Sequence, residues 1–402
     1  MRHANGRDWW MLLPKSGTNR YFAFLVTPEG VRLSHQQEVP GANNFSAFGQ
    51  AAFSPDGSHL SILRSGTISP DTYVDVFDFD RCSGLLSNFR QVIIPLVSFG
   101  VGVAFSPNNR FLYVAMWKTL YQLDLEAPVL DTLIADTWDG FLYTYPNTSW
   151  SVPATYGPMV NGPDGRIYSI NYNNGHKYLN LIDKPNFPPP HCNARQHALE
   201  LPTLTGGPPN FAHYRLGPVD GSTCDSLGID NIPWAWWRYE QDTALYGTIY
   251  FTDLSAYEPT QWRWDFGDGA LSADTSPVHA YAAPGTYTVC LIVSNAFGAD
   301  TLCRTIHIAT VPAPSPGQAP VIELGMLPNP FRETLTLQWS GSYLPERALC
   351  RIYDFAGRQV SEMRVFPGWN AVDASGLSPG VYFWTVNDGG VRLGGGKVVK
   401  VE

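Results

Sequence analysis

The sequence predicts an all-β protein, and three observations favour that fold class. Glycine and proline are abundant, with 37 and 33 residues in a chain of 402, as expected where turns join many short strands. Apolar and polar residues alternate with a period of two in many segments, and no long segment has the period of an amphipathic helix. Hydrophobic residues make up 44% of the chain, which is enough for packed cores and excludes a disordered protein.

Charge and composition also exclude several classes of partner. The formal charge is −9 without a basic cluster, which argues against nucleic acid, because Lys and Arg supply most of that affinity. No apolar run approaches the ~18 residues of a membrane-spanning helix. Residues 1–10 lack the features of a secretory signal. We find no catalytic motif, cofactor motif or Cys/His metal spacing, so the sequence predicts no enzyme site, cofactor or metal.

Residues 1–185 contain a loose repeat built on one turn. The clear copies are Ala52–Leu60 and Ala104–Val114, and a weaker copy is Asn161–Ile170. Each copy places a Ser-Pro-Asp-Gly-like turn between a hydrophobic strand end and an alternating strand. The clear copies are a little over fifty residues apart, which fits one four-stranded propeller blade each.

This repeat resembles the WD-like β-propellers of bacterial surface and periplasmic proteins, and the resemblance implies about four blades. Propellers close with about four to eight blades, and strand-like residues already begin at Trp9. We therefore expect a partial propeller over residues 1–185, truncated at its N-terminus. Truncation would also explain the absent signal peptide. A small complete propeller of irregular blades is the alternative.

Residues 186–231 are rich in Pro and Gly and poor in strand signals. The segment cannot build a core of its own, and Cys192 and Cys224 bracket most of it. In an oxidising compartment we expect a Cys192–Cys224 disulfide, which would stabilise the fold by roughly 3–4 kcal/mol on the chain-entropy model. Two free thiols are the alternative.

The next segment is organised around one six-residue motif. Its residues are Trp264, Asp265, Phe266, Gly267, Asp268 and Gly269. Trp262 and Trp264 alternate as in a strand, and the glycines favour a tight turn. With the downstream segments 279–281 and 284–287, the motif resembles the PKD domain, which implies an immunoglobulin-like sandwich over residues 232–309.

The residues of this motif are expected to serve the fold. A calcium site on Asp265 and Asp268 is the sharper alternative, but two carboxylates fall short of the six to eight oxygen ligands that calcium takes.

A hairpin near the end of this domain predicts a second disulfide. If residues 295–298 form its loop, Leu291 lies opposite Leu302 and Cys290 lies opposite Cys303. Directly opposed residues of an antiparallel pair have the Cα separation that a disulfide requires. We therefore expect a Cys290–Cys303 disulfide. Residues 310–320 follow with four prolines and no charge, which is typical of an extended linker.

The last segment, residues 321–402, predicts another sandwich and carries four motifs. Their residues are Pro328, Asn329, Pro330 and Phe331, then Asp354, Gly357 and Arg358, then Gly380 and Tyr382, then Gly396 and Lys397. In this order the motifs resemble the C-terminal sorting domain read by the type IX secretion machinery of Bacteroidetes. The resemblance implies that machinery as a partner, export across the outer membrane, removal of the domain and attachment to surface lipopolysaccharide.

Two further groups of residues are candidate sites. Asp75, Asp78 and Asp80 lie on or beside one strand and could line a propeller channel, although a solvated strand face is the plainer interpretation. Three tryptophans could form a carbohydrate platform or pack against the PKD-like domain. They are Trp234, Trp236 and Trp237.

The expected fold is thus a partial β-propeller followed by two immunoglobulin-like β-sandwiches. We predict a secreted or surface-anchored, non-enzymatic protein that binds a glycan or protein ligand through its propeller and PKD modules. An exported hydrolase with its site in the propeller is the alternative hypothesis.

Overall fold

The computed structural model describes all of residues 1–402 except a set of short segments. These are 43–48, 66–70, 96–99, 146–147, 171–175, 204–214, 243–246, 309–321, 333–334, 342–347, 366–367, 375, 389–390 and 402. The described residues form 31 strands and no helix, so the predicted all-β fold class is confirmed. The predicted linker at 310–320 lies outside the described residues.

The chain forms two compact units. The first comprises residues 1–240, 249–281 and 286–307, and the second comprises 241–248, 282–285 and 308–402.

The N-terminal part of the first unit consists of antiparallel sheets whose strands pair in chain order. The first sheet has β1 Trp9–Pro14, β2 Arg20–Thr27 and β3 Gly30–Glu38. The second has β4 Ala51–Phe53, β5 His59–Ser65, β6 Thr72–Phe79 and β7 Leu86–Ile94. The third has β8 Gly100–Phe105, β9 Phe111–Met116, β10 Thr119–Asp124 and β11 Thr132–Thr137. After a hairpin of β12 Leu142–Thr144 and β13 Ser151–Pro153, the fourth has β14 Met159–Asn161, β15 Ile167–Ser169, β16 Tyr178–Ile182 and β17 Ala194–Glu200.

Successive sheets of this region pack against each other through both of their faces. On β6, Phe77 belongs to a core cluster shared with the first sheet, whereas its neighbour Val76 belongs to one shared with the third sheet. On β9, Val114 belongs to the core cluster shared with the second sheet, and its neighbour Tyr113 belongs to one shared with the fourth sheet. The central strands are therefore hydrophobic on both faces, as in sheets stacked in a row.

One strand lies where the sequence predicted only loop. The segment 186–231 contains β17, which pairs with β16 in the fourth sheet. β17 is an edge strand without fully buried residues. Backbone hydrogen bonds and polar side-chain contacts, such as that of Gln196 with Asp136, hold it, so its sequence needs no apolar alternation.

The PKD-like part, most of which belongs to the first unit, has two sheets. Strands β18 Trp237–Gln241, β19 Thr248–Asp253 and β22 Val278–Ala280 form one, and β21 Leu271–Ser272, β20 Gln261–Asp265, β23 Gly285–Asn295 and β24 Gly298–Ile308 form the other, in that order. Aromatic rings fill the core: Trp237, Phe251 and Trp264 have ring centroids 5.3–5.7 Å apart. This core explains why the chain is rich in alternating aromatics here.

The second unit has a three-stranded and a four-stranded antiparallel sheet. The first is β25 Ile322–Leu327, β26 Leu335–Gly341 and β29 Gly368–Val372, and the second is β28 Gln359–Arg364, β27 Leu349–Tyr353, β30 Gly380–Asp388 and β31 Val391–Lys400. One core cluster contains buried residues of both sheets, among them Leu337 and Trp384.

The structure contains two disulfides, one of which corrects the sequence analysis. Cys290 and Cys303 are bonded with a Cα separation of 4.0 Å, at the place that the hairpin register indicated. The predicted Cys192–Cys224 bond is wrong, because Cys224 is bonded to Cys82, 142 residues away. Cys192 is a free thiol buried in the core between the third and fourth sheets. Nearness along the chain favoured the wrong partner.

Candidate functional site

The three repeat copies fold into the same turn. In the first, the backbone N–H of Gly57 donates to the Ser54 carbonyl at 2.9 Å; in the second, Asn109 donates to Ser106 at 2.9 Å. Gly57 and Asn109 both have positive φ angles of 76° and 63°, which glycine and asparagine tolerate best.

The third copy repeats the pattern, with Gly165 donating to Gly162 at 3.2 Å and a φ of 76°. The first two turns are also linked, because Asn109 Oδ1 accepts from the Asp56 backbone N–H at 3.1 Å. The sequence repeat is thus a repeat of structure.

These three turns line one cavity of about 380 Å³, which we call the turn cavity. Its other walls are the loop Asp253–Glu258 of the PKD-like part and the segments around Arg81, Arg215 and Asn231. Proline and leucine side chains lie among polar side chains in the wall. The cavity is therefore built where the repeat and the PKD-like sandwich meet.

Five charged residues line the turn cavity, and no ion pair joins them to each other or to another described residue. They are the carboxylates Asp56, Asp253 and Glu258 and the guanidinium groups Arg81 and Arg215. Arg81 is only 7% exposed, and its Nε donates to the Arg2 carbonyl at 3.1 Å. Burial lowers the pKa of this guanidinium. A buried cation without a carboxylate partner is unusual in a folded protein.

Two acids in the same wall have raised pKa values. Burial is the main cause for Glu258, and the neighbouring Asp220 carboxylate adds to it. Burial is also the main cause for Asp253, although its Oδ1 accepts from Ser255 Oγ at 2.6 Å and its Oδ2 from Trp262 Nε1 at 2.9 Å. The loop strains its backbone at this point, since Tyr257 and Glu258 have φ angles of 64° and 53°.

A disulfide fastens one wall of the turn cavity to the second sheet. Cys82 follows Arg81 directly, and its partner Cys224 lies in the segment between Gly217 and Asn231. Asn231 is 1% exposed; its Nδ2 donates to the Pro218 carbonyl at 3.1 Å, and its Oδ1 has no hydrogen-bond partner.

A second cleft of similar volume, about 390 Å³, lies between the second and third sheets, and we call it the paired cleft. Its charged residues, apart from Asp56, are joined in ion pairs. His59 Nδ1 lies 3.2 Å and Arg90 3.7 Å from Asp78 Oδ1. Arg110 lies 3.3 Å from Glu126, and it also binds Asp124 outside the lining at 2.7 Å.

The PKD motif serves the sandwich. Trp264 and Phe266 are buried in its core, and Asp265 Oδ1 accepts from the Gly267 backbone at 2.9 Å. Asp268 Oδ2 lies 2.7 Å from His279 Nε2, and its Oδ1 accepts from the Ala270 backbone at 3.0 Å. No group of three or more potential metal ligands occurs among the described residues.

The two glycines of the motif form its turn. Both have positive φ angles, 78° for Gly267 and 95° for Gly269. A Cβ on Gly267 would also lie 2.5 Å from the Thr288 carbonyl oxygen, so only glycine fits there.

The candidate aspartates are separated in the structure. Asp75 is fully buried and paired with Arg64, and Asp78 lies in the paired cleft. Asp80 accepts hydrogen bonds within its own turn, from the Cys82 backbone at 2.9 Å and from Ser83 Oγ at 2.6 Å. The strand does not present the three carboxylates to one channel.

The candidate tryptophans do not form one exposed platform, because their burial differs. Trp237 is buried in the PKD-like core, whereas Trp234 is 41% exposed. The guanidinium of Arg304 lies 4.2 Å from the ring centroid of Trp236, and that of Arg215 lies 5.1 Å from that of Trp234. Arg215 therefore rests on Trp234 while it lines the turn cavity.

In the second unit, the first sorting motif holds the last strand. Asn329 Nδ2 donates to the Lys397 carbonyl at 3.0 Å, and Asn329 Oδ1 accepts from the Val399 backbone at 3.0 Å. Phe331 is 1% exposed and exchanges two backbone hydrogen bonds of 2.9 Å with Val399 and Val401. Pro328 and Pro330 flank Asn329 on this path.

The other motifs shape turns and close contacts. Asp354 Oδ1 accepts from the Arg358 backbone at 2.9 Å, which closes a turn with Gly357 at a φ of 81°. Tyr382 donates to the Ser378 carbonyl at 2.7 Å, beside Gly380. A Cβ on Gly396 would lie 3.0–3.1 Å from the Trp384 ring, so a larger residue would displace that ring.

Sequence reasoning found the turns of the cavity but not its charged residues. Arg81, Arg215 and Glu258 belong to no repeated pattern. The sequence points to these residues only indirectly: three equivalent turns predict a common wall, and residues that pack against that wall are candidates for a site.

Comparison with known proteins supports two of the sequence resemblances. Residues 239–310 match the PKD domain family, and residues 326–400 match the secretion system C-terminal sorting domain family. The collagenase ColQ1 of Bacillus cereus (strain Q1) is 43% identical over 44 residues, which cover 11% of this chain and 5% of the collagenase.

Two solved structures illustrate the structural comparison. The PKD1 domain of Vibrio anguillarum Epp is 27% identical, covers 19% of this chain and 93% of that domain, and has a TM-score of 0.18. PorZ, a surface component of the type-IX secretion system of Porphyromonas gingivalis, is 13% identical with a TM-score of 0.30. That match covers 98% of this chain and 43% of PorZ, so the chain spans less than half of it.

The sorting domain defines the class of protein. The chain is a secreted or cell-surface protein, and its C-terminal domain implicates the type IX secretion machinery in its export. It carries a PKD domain upstream of that sorting domain. No helix among the described residues is long and apolar enough to cross a membrane.

Proposed function

We propose that this protein is a non-enzymatic binding protein of the bacterial cell exterior, with its ligand site in the turn cavity. The N-terminal sheets act in this proposal as an arc of propeller blades. Each four-stranded sheet is a meander like a blade. Gln50 bridges the first strands of two neighbouring sheets, since its Oε1 accepts from the backbones of Val103 at 3.1 Å and Met159 at 3.0 Å.

The observation that carries the proposal is the convergence of three equivalent turns and the PKD loop on one cavity with unpaired charges. A cleft with converging polar groups and perturbed pKa values is the default candidate for a binding site. The PKD loop contributes the strained residues Tyr257 and Glu258, so both modules take part.

The alternative, an exported hydrolase, is favoured by one observation. Asp253 and Glu258 both have raised pKa values in the same cavity, as the acid in a carboxylate pair requires. Asp253 is held by Ser255 and Trp262 through both oxygens. That arrangement leaves Glu258 as the single acid free to act, which favours binding over hydrolysis.

Retention assays separate these functions. The purified chain is incubated with insoluble cellulose, chitin and collagen, and both the bound protein and any soluble products are measured. Retention without release of sugars or peptides supports a binding protein. Release of products that is lost in Glu258→Gln would identify a hydrolase instead.

Export is tested separately, in a Bacteroidetes host with and without a functional type IX system. The full chain, preceded by a Sec signal peptide, is expected on the cell surface only when that system works. Phe331→Ala should abolish surface display because it frees the last strand. The exposed change Arg358→Gln, in the sorting turn, serves as the milder comparison.

A further inference from the structure

The turn cavity is small, open to solvent on one side, and lined by side chains of mixed character. Its volume of about 380 Å³ is at the lower end of the range for small-ligand sites. Proline and leucine side chains supply apolar surface, among them Pro55, Pro107 and Leu254, and charged and amide groups lie between them. The ligand that fits is compact, with both apolar and polar faces.

The charges of the wall restrict that ligand further. An anion would face three carboxylates, Asp56, Asp253 and Glu258, and a cation would face the guanidinium groups of Arg81 and Arg215. None of these groups is in an ion pair within the described residues. Asp56, Asp253 and Arg81 already form hydrogen bonds with protein groups, whereas the side chains of Arg215 and Glu258 form none with the described residues. Hydroxyl groups serve both kinds of wall, because each donates one hydrogen bond and accepts others.

Donors and an acceptor for such a ligand lie in the wall. Arg81, 7% exposed, has no carboxylate within ion-pair distance; its Nε and Nη2 donate to the Arg2 and Gly217 carbonyls, which leaves its Nη1 for a ligand. Arg215 and the Glu258 carboxylate form neither an ion pair nor a side-chain hydrogen bond with another described residue. Guanidinium donors and a carboxylate acceptor in one cavity match vicinal hydroxyls.

The strained loop adds the remaining elements. Tyr257 and Glu258 line the cavity from consecutive positions with positive φ angles. Outside glycine, such conformations persist mainly where the surroundings enforce them, often at ligand sites. An aromatic ring next to a carboxylate suits a sugar, whose ring has an apolar C–H face and a rim of hydroxyls.

We infer that the turn cavity binds a neutral sugar of one or two rings, held by Arg81, Arg215 and Glu258 through its hydroxyls. This inference rests on the proposed binding function and names its ligand class. A sugar at the end of a surface polysaccharide, or a free oligosaccharide, presents the same chemistry.

The test is a titration of the full chain with four sets of probes, followed by tryptophan fluorescence and calorimetry. The probes are glucose, galactose, mannose and their neutral disaccharides; glucuronic acid; glucosamine; and alanine as a zwitterion. At least one neutral sugar should bind on the order of tenfold more tightly than glucuronic acid or glucosamine, the effect of one hydrogen bond to a charged group. Tighter binding of an acid, an amine or alanine would overturn the sugar assignment, as would no binding of any neutral sugar at millimolar concentration.

Matched variants locate the site. Glu258→Gln and Arg215→Gln should each weaken binding about tenfold, whereas Glu126→Gln and Arg110→Gln in the paired cleft should leave it unchanged. Thermal unfolding checks that each variant folds, and Glu258→Gly, which relieves the backbone strain, is the substitute if Glu258→Gln does not.

The result distinguishes the two proposals. Sugar binding that the paired-cleft variants reduce, or that the cavity variants leave intact, overturns the turn cavity as the site but leaves the non-enzymatic binding function standing. Release of cleaved products in the retention assays defeats the binding function itself.

Discussion

The turn cavity and the paired cleft have nearly equal volumes, about 380 and 390 Å³, but differ in whether their charged residues form ion pairs. In the paired cleft, Asp78 and Arg110 are already neutralised by protein groups. In the turn cavity, Arg81 and Glu258 both line the wall, and neither forms an ion pair with a described residue. A cleft whose charges are satisfied internally offers little to a ligand, since binding must first break those pairs. Size alone therefore does not identify a site; unpaired charge does.

Breaking the disulfide that fastens the wall of the turn cavity should have the largest effect on stability and on sugar binding. In the double variant Cys82→Ser/Cys224→Ser the disulfide that closes 142 residues is lost, which removes up to about 5 kcal/mol on the chain-entropy model. Urea unfolding under non-reducing conditions measures the loss. Sugar binding should disappear with it, because the wall segment from Arg215 to Asn231 is no longer tied to the second sheet.

The second disulfide gives the control for this prediction. Cys290→Ser/Cys303→Ser opens a 13-residue loop whose residues line neither cleft and should cost about 3 kcal/mol without loss of binding. An equal loss of binding in both double variants would show that the Cys82–Cys224 bond has no special part in the cavity.

Removing one arginine from each cleft compares the clefts directly. Arg81→Ala leaves the Arg2 and Gly217 carbonyls without their donor and should cost about 2–3 kcal/mol, as expected for hydrogen bonds to a buried charged group. Arg110 is 44% exposed, and Arg110→Ala should leave the urea midpoint nearly unchanged. A greater loss in Arg110→Ala would reverse the assignment of which cleft depends on its cation.

A smaller loss of stability is expected from a substitution at Gly217, which packs closely against Asn231 in the cavity wall. A Cβ on Gly217 would lie 1.6 Å from Asn231 Oδ1, so Gly217→Ala must displace that amide and should cost about 1–2 kcal/mol. In the Asn231→Ala background the same change should cost much less, which a double-mutant cycle measures. Additive losses would mean that the two residues do not share this contact.

The contrast between the clefts also explains what sequence reasoning could reach. The Ser-Pro-Asp-Gly turns were predictable because glycine or asparagine must supply the positive φ at positions such as Gly57 and Asn109. The Cys290–Cys303 bond followed from local register. Arg81 and Glu258 could not be found in this way, because only the packing of separate modules brings them together. The Cys82–Cys224 bond was missed for the same reason, and β17 because an edge strand needs no apolar pattern. The predicted propeller remains a prediction.

The smallest expected effect is the most specific, because the two clefts should respond to pH with opposite sign. The pKa of Glu258 is raised above its ordinary value of 4.5, chiefly by burial. The folded protein holds that proton more strongly than the unfolded chain does. Its contribution to stability is therefore present below pH 4.5 and is lost as the pH rises through the raised pKa. Glu258→Gln should remove this loss.

Asp124, bound by Arg110 of the paired cleft, behaves in the reverse way. The hydrogen bond from Arg110 is the main cause that lowers its pKa below 3.8. Its contribution is present above pH 3.8 and is lost as the pH falls through the lowered pKa, and Asp124→Asn should remove that dependence. Thermal unfolding of both variants and the parent, from about pH 3 to 7, gives the two difference curves. Slopes of the same sign would contradict the claim that one cleft holds unpaired charge and the other holds paired charge.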